Sequence, residues 1–220
     1  MGGGGVTSLR GQNGEQIDLT DSPLVYGSKD KTLSAAARKA VEAQEAKRTP
    51  YKTEYALAFD ENGNPLGAER HGGTGSVNVP VSWEMTPRAT LTHNHPRGKN
   101  EEGLIGGTFS PADLNSFSKG RYTTMRASAN EGTYSISKTL NFDRDGFTKY
   151  QSSLASAANS AHKSRSAKLM QDAVAGKITV KKYVSENAKS FNKMLVDIHN
   201  GLIQGQSQYG YKYTLEGNNG

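Results

Sequence analysis

Two short stretches carry residue types that could do chemistry together. They are Thr92-His-Asn-His-Pro96 and, further along, Ser110-Pro-Ala-Asp113. Two histidines at i and i+2 on an extended segment point to the same face, because strand side chains alternate. Their ring nitrogens can therefore converge on one ion, and imidazole suits zinc. Ser110 and Pro111 form a good helix start, as N-cap and first helical residue. Asp113 then lies in the first turn, where its carboxylate can swing back as a third ligand. Three protein ligands leave a fourth tetrahedral position for water, which is the catalytic arrangement. Zinc lowers the pKa of such a water to about 7 in favourable cases. Taken singly, each part has an ordinary explanation: two surface histidines coincide, and Ser-Pro-x-Asp is simply a stable helix N-terminus with Asp set against the dipole. The combination, in this order and in these contexts, points to metal. His71, His162 and His199 are expected to lie outside it, and with no cysteine in the chain the donors can only be nitrogen and oxygen.

The elements that must position these residues follow from periodicity. Leu33, Ala36, Ala37, Ala40 and Val41 recur at helical spacing through Arg48, with Ser28 or Asp30 as cap and Thr49-Pro50 as the stop. Glu54–Phe59 and Leu66–Arg70 read as strands around a turn at Asp60–Pro65, and Ser76–Val81 alternates as a third strand. Ala89–His95 is a fourth, ended by Pro96. Tyr122–Ala129 and Thr133–Lys138 flank Asn130-Glu-Gly132, a hairpin signal. From Gly146 to Gly201 the pattern is helical and broken at Gly176, and Tyr209–Leu215 reads as a closing strand. The expected fold is α/β, a mixed sheet flanked by helices, with a helical insertion before a last strand. The division is a flexible Gly-rich leader (1–27), a core (28–143), a basic helical appendage (144–208), and a closing strand and tail (209–220).

The two motifs resemble those of the JAMM (MPN-type) zinc metalloproteases, which join an upstream Glu to His-x-His-Pro and Ser-x-x-Asp. His93-Asn-His95-Pro96 followed by Gly98 is most similar to the RadC-like branch. The resemblance covers residues 31 to about 140. It implies a cytidine-deaminase-like, MPN-type sheet with His93, His95 and Asp113 as zinc ligands. It also implies a Glu that activates the zinc water and passes its proton to the leaving amine, and a role for Ser110 in steadying the oxyanion. Glu54 fits that Glu because it follows the first helix and opens Glu-Tyr-Ala-Leu-Ala-Phe59; the rival is Glu69, which could instead pair with a surface base. One departure is the fourteen residues from Pro96 to Phe109, longer than the family's usual interval. The extra stretch around Lys99–Gly107 would lie beside the metal, as a substrate lid or as a neutral insertion.

The expected activity is zinc-dependent hydrolysis of an amide, peptide or isopeptide bond, on a protein or peptide substrate that includes ubiquitin-like proteins among the possibilities. Two other readings stay open: a non-catalytic MPN-type binding module, and a RadC-like nucleic-acid-associated protein. The net charge of +6 belongs to Gly146–Asn200, where nine Lys/Arg face three Asp/Glu. Such a segment could meet nucleic acid, but it has few aromatics for base stacking and reads first as a solvated face. No apolar run approaches the ~20 residues that span a bilayer, and the N-terminus has no signal-peptide pattern. The expectation is a cytoplasmic protein, with export as a toxin or virion component left open.

Overall fold

A computed structural model describes residues 8–10, 16–18, 24–96 and 105–217. Strands β1 (Ser8–Arg10) and β2 (Gln16–Asp18) pair with each other as a separate ribbon. Helix α1 (Ala35–Arg48) is capped by Ser34, whose hydroxyl accepts from Ala37 N–H at 3.1 Å. Then follow β3 (Tyr55–Phe59), β4 (Arg70–His71), α2 (Val81–Glu84), β5 (Thr90–Asn94), α3 (Pro111–Lys119), β6 (Thr124–Ala129) and β7 (Gly132–Lys138). The chain ends in α4 (Arg144–Val174), α5 (Val180–Gln204), α6 (Gln206–Tyr209) and β8 (Tyr211–Glu216). Six strands form one mixed sheet in the order β4-β3-β5-β6-β7-β8, with β5 and β6 parallel and every other pair antiparallel. The parallel pair is joined by a crossover that contains α3, as parallel strands require. No described helix is long and apolar enough to cross a membrane.

The register gives the sheet two unlike faces. One carries Ala56, Leu91, Met125, Ile136 and Tyr213 and is packed by α3, α4 and α5 through Phe117, Phe147, Leu154, Ile198 and Leu202. The other carries Thr92, Arg126, Ser135 and Glu216 and is covered by α1. Most polar groups there are buried and paired, as burial demands; the Ser128 hydroxyl has no hydrogen-bond partner among the described residues. The Arg126 guanidinium is gripped by Glu45 of α1 (2.8 and 3.0 Å) and by Glu216 of β8 (2.9 and 3.1 Å). Thr92 adds a donor to Glu45 at 3.0 Å.

The helical segment is part of the core. Tyr150, Leu154, Ala158, Ile198 and Leu202 belong to the same buried cluster as the sheet residues. Helices α4 and α5 turn back on each other near Gly176, which takes a left-handed φ of +71°, and they cross closely at Gly201. A Cβ at Gly201 would stand 2.4 Å from a Leu154 methyl, so only glycine allows this approach. The last strand does return to the sheet, beside β7.

Several sequence expectations are corrected. The α1 cap is Ser34; Asp30 instead turns into the polar face, where it accepts from Thr32, Ser135 and Ser137, while Ser28 lies outside the cap. Ser76–Val81 is not a strand: Val77 and Val79 pack against the core from an irregular segment, and Val81 opens α2. Leu66–Arg70 is not one continuous strand: Leu66 N–H donates to Ala58 O at 2.8 Å and β4 pairs at Arg70–His71, but between them the Leu66 carbonyl accepts from Trp83 Nε1 (3.3 Å) and Glu69 reaches Arg48. Tyr209 ends α6, and β8 starts after Gly210 at φ +65°. The attached chain also begins before Ser28. Gly27 N–H donates to Leu215 O at 2.9 Å and Asp30 N–H to Glu216 at 2.6 Å, so this segment covers the outer edge of β8. Residues 97–104, most of the expected lid, lie outside the described residues.

Candidate metal centre

The site forms at the carboxyl end of β5, where the chain leaves the sheet and re-enters through α3. Crevices at the carboxyl ends of parallel strands are the usual ligand positions of α/β sheets. His93 lies between Ala56 of β3 and Ala127 of β6, its direct partners on either side. Two such small neighbours leave room for imidazole rings to stand up from the sheet. His93 Nε2 and His95 Nε2 are 3.0 Å apart, and Asp113 stands 3.6 Å from the first and 3.8 Å from the second. Among the described residues these three form the only group with metal-ligand spacing.

Local hydrogen bonds aim the donors. His95 Nδ1 is 2.8 Å from the carbonyl of Gly107, which can only accept, so Nδ1 carries the proton and Nε2 presents its lone pair inward. Asp113 is held by a capping box: its N–H donates to Ser110 Oγ (3.2 Å), and its Oδ2 accepts from Ser110 N–H (2.8 Å). The Ser110 hydroxyl proton stays available to the adjoining cleft, which Ser110 lines. Burial would raise the Asp113 carboxyl, but His93 and His95 outweigh it and hold Asp113 well below the usual carboxylate range. Burial depresses His95, yet hydrogen bonding and attraction to Asp113, with the Gly107 carbonyl, push it upward.

The donor set fits a zinc-like ion. Bonds of ~2.0–2.1 Å in a tetrahedron put ligand atoms roughly 3.3 Å apart; the two ring nitrogens are 3.0 Å apart, and Asp113 sets Oδ1 3.6 Å from His93 and Oδ2 3.8 Å from His95. The two ring nitrogens beside a carboxylate can share one electrophile, a proton or a metal ion. Neutral imidazole and carboxylate match zinc in hardness.

Glu54 borders the same cleft. It precedes β3, and projecting the β3–β5 register two residues beyond Ala56–His93 brings it opposite His95. It is 9% exposed, and burial raises its pKa; His93 and His95 pull it down, Asp113 pushes it up, and the balance stays upward. Asn94, the middle residue of the motif, points to the opposite face and fixes the backbone on either side of Glu54. Its Oδ1 accepts from Tyr55 N–H at 2.7 Å and its Nδ2 donates to the Thr53 carbonyl at 3.0 Å. Glu69 is elsewhere, bound to buried Arg48 at 2.7 Å. His71 is exposed, His162 bonds Ser190, and His199 is buried against Tyr213.

No family model, curated protein or solved structure matches this chain. The functional reading therefore rests on the residues of the site. Sequence reasoning missed three supports. Asn94 lay in plain view inside the motif. Glu131, in the β6–β7 turn, accepts from Gly106 N–H (2.8 Å) and Gly107 N–H (2.7 Å) and so fixes the carbonyl that orients His95. The third is α5, whose Met194, Leu195 and Ile198 wall the cleft. The helical spacing of Leu195 and Ile198 announced a docked face, but not what it docks beside.

Proposed function

We propose that this protein is a metal-dependent hydrolase of JAMM type, cleaving an amide, peptide or isopeptide bond, with zinc held by His93, His95 and Asp113. The observation that carries this reading is a buried carboxylate of raised pKa, Glu54, sharing a cleft with His95, beside a His-His-Asp set whose spacing could hold a metal ion. When bound, zinc would supply a Lewis acid for the scissile carbonyl and acidify water. Glu54 takes a proton from the attacking water and hands it to the leaving nitrogen as the C–N bond breaks; burial brings its basicity closer to neutrality, where a general base works best. Ser110 donates its free hydroxyl proton to the developing oxyanion. Gly107 keeps His95 in the required tautomer, and Asn94 keeps Glu54 in place.

The test is elemental analysis with a peptide and isopeptide cleavage screen on the purified chain. Close to one zinc per chain is expected, lost in His95→Ala. Glu54→Gln should keep zinc and lose turnover, while Glu69→Gln should turn over normally. Equal zinc in the wild type and in the three ligand variants would end the metal assignment. Bound zinc with no cleavage of any substrate would leave an MPN-type binding module.

A further inference from the structure

We propose that the cleft between the metal centre and α5 is a specificity pocket for a large apolar side chain next to the scissile amide. This rests on the hydrolase reading above and adds the class of substrate. The cleft has a volume of about 630 Å³, within the ~300–1,000 Å³ of small-ligand sites. It is lined by Glu54, His95 and Ser110 at the metal centre and by Phe109, Phe191, Met194, Leu195, Ile198 and Ala155 of α4 beyond it. The wall starts one residue from the metal ligand. The carbonyl of Gly107 orients His95, and a Cβ on Gly107 would stand 2.6 Å from Leu195 Cδ1, so the leucine lies directly on that peptide.

This arrangement commits the cleft to one kind of occupant. Apart from Glu54 and His95, none of the described residues lining it is ionisable, and its far polar groups are Ser156 and Asn159. Beyond Glu54 and His95, an acidic or basic side chain would meet no partner of opposite charge among the described residues there. A glycine next to the scissile bond would leave the wall wet. A leucine-, methionine- or phenylalanine-sized group would cover Met194 and Leu195 while its own carbonyl stays at the metal end. The helical hairpin thus selects the substrate, and its solvated lysines are not needed for that.

The test uses the full zinc-loaded chain and titration calorimetry with three metal-chelating probes: acetohydroxamate, 4-methylpentanohydroxamate and succinic monohydroxamate. Burying a leucine-sized group predicts that the branched probe binds tenfold to about a hundredfold tighter than acetohydroxamate, with no gain for the acidic probe. Met194→Lys should abolish the gain, and Ala155→Phe should do so by filling the space, with zinc content and acetohydroxamate affinity unchanged in both. Equal affinity for all three probes, or a gain that survives both substitutions, would overturn the pocket and leave the hydrolase reading intact. If zinc-loaded protein bound none of the probes, the hydrolase reading itself would fall and the pocket with it.

Discussion

His199 makes acid stability a sharp test of the packing between α5, β8 and the chain entering α1. It is completely buried. Its Nε2 lies 3.1 Å from the Val25 carbonyl and its Nδ1 lies 2.8 Å from Tyr213 Oη. The carbonyl can only accept, so Nε2 carries the proton and Nδ1 accepts from Tyr213, whose oxygen in turn meets Thr108 at 2.7 Å. A second proton on Nδ1 would have to turn the Tyr213 hydroxyl away, and burial pulls the pKa from 6.5 down to about 4. The folded state thus binds this proton less readily than the unfolded chain. The contribution is complete above pH 6.5 and is lost as pH falls from there through 4. A tenfold difference in proton affinity between the two states is worth about 1.36 kcal/mol. Going from pH 7.5 to 4.5 should therefore remove roughly 2.5 kcal/mol through this group alone. Urea unfolding of the wild type and His199→Gln at both pH values measures it, because glutamine can donate to Val25 and accept from Tyr213 without titrating. The wild type should lose roughly 2.5 kcal/mol more than the variant across the interval. Parallel losses in the two proteins would refute the assignment of a buried neutral imidazole.

Further expectations concern the supports of the site. Gly107→Ala must hold φ near +91° and displace Leu195; it should cost about 1–3 kcal/mol and weaken zinc binding by roughly 10- to 100-fold, read by chelator competition. Asn94→Ala should keep the zinc but lower turnover by up to about 100-fold, since Glu54 loses its fixed backbone; full activity would show that β3 holds Glu54 unaided. Truncation after Asp145 removes β8 and α5 together, stripping Glu216 from Arg126 and the wall from the cleft. The fragment should be unfolded by circular dichroism, and a folded 1–145 chain that binds zinc normally would contradict the view of α4 and α5 as part of the core.

What could be read in the sequence was what local rules govern. The hairpin at Asn130–Gly132, the capped start at Ser110 and the break at Gly176 are each written in a few adjacent residues. The pairing of His93 with His95 follows from strand alternation alone. The failures share a cause. Val77 and Val79 alternate like a strand because they pack like one, yet no neighbour offers them a ladder. Asp30 resembles a cap, but it found stronger partners in Ser135 and Ser137, more than a hundred residues away. Glu131 could not be linked to His95 from sequence, because the connection runs through two backbone amides of a different loop. Choosing between Glu54 and Glu69 had the same difficulty, and Arg48 separates them only in three dimensions.

The Arg126 cluster helps to decide how the last strand finds its place. Side chains alternate along β8, so sliding it by one residue against β7 would turn Glu216 to the apolar face and Leu215 to the polar one. Tyr211, Tyr213 and Leu215 resist such a slip only by shape, whereas Arg126 resists it by charge: one of its two carboxylates would be gone and a second charge stranded among aromatics. A buried ion pair adds little to stability over an apolar substitute and can instead serve to select one arrangement. Replacing Arg126, Glu45 and Glu216 together by apolar residues of like volume should therefore cost little beyond the two donors left without acceptors, Asp30 N–H and the Thr92 hydroxyl, at about 1–3 kcal/mol each. It should also release β8 into more than one alignment, visible as doubled amide resonances along β7.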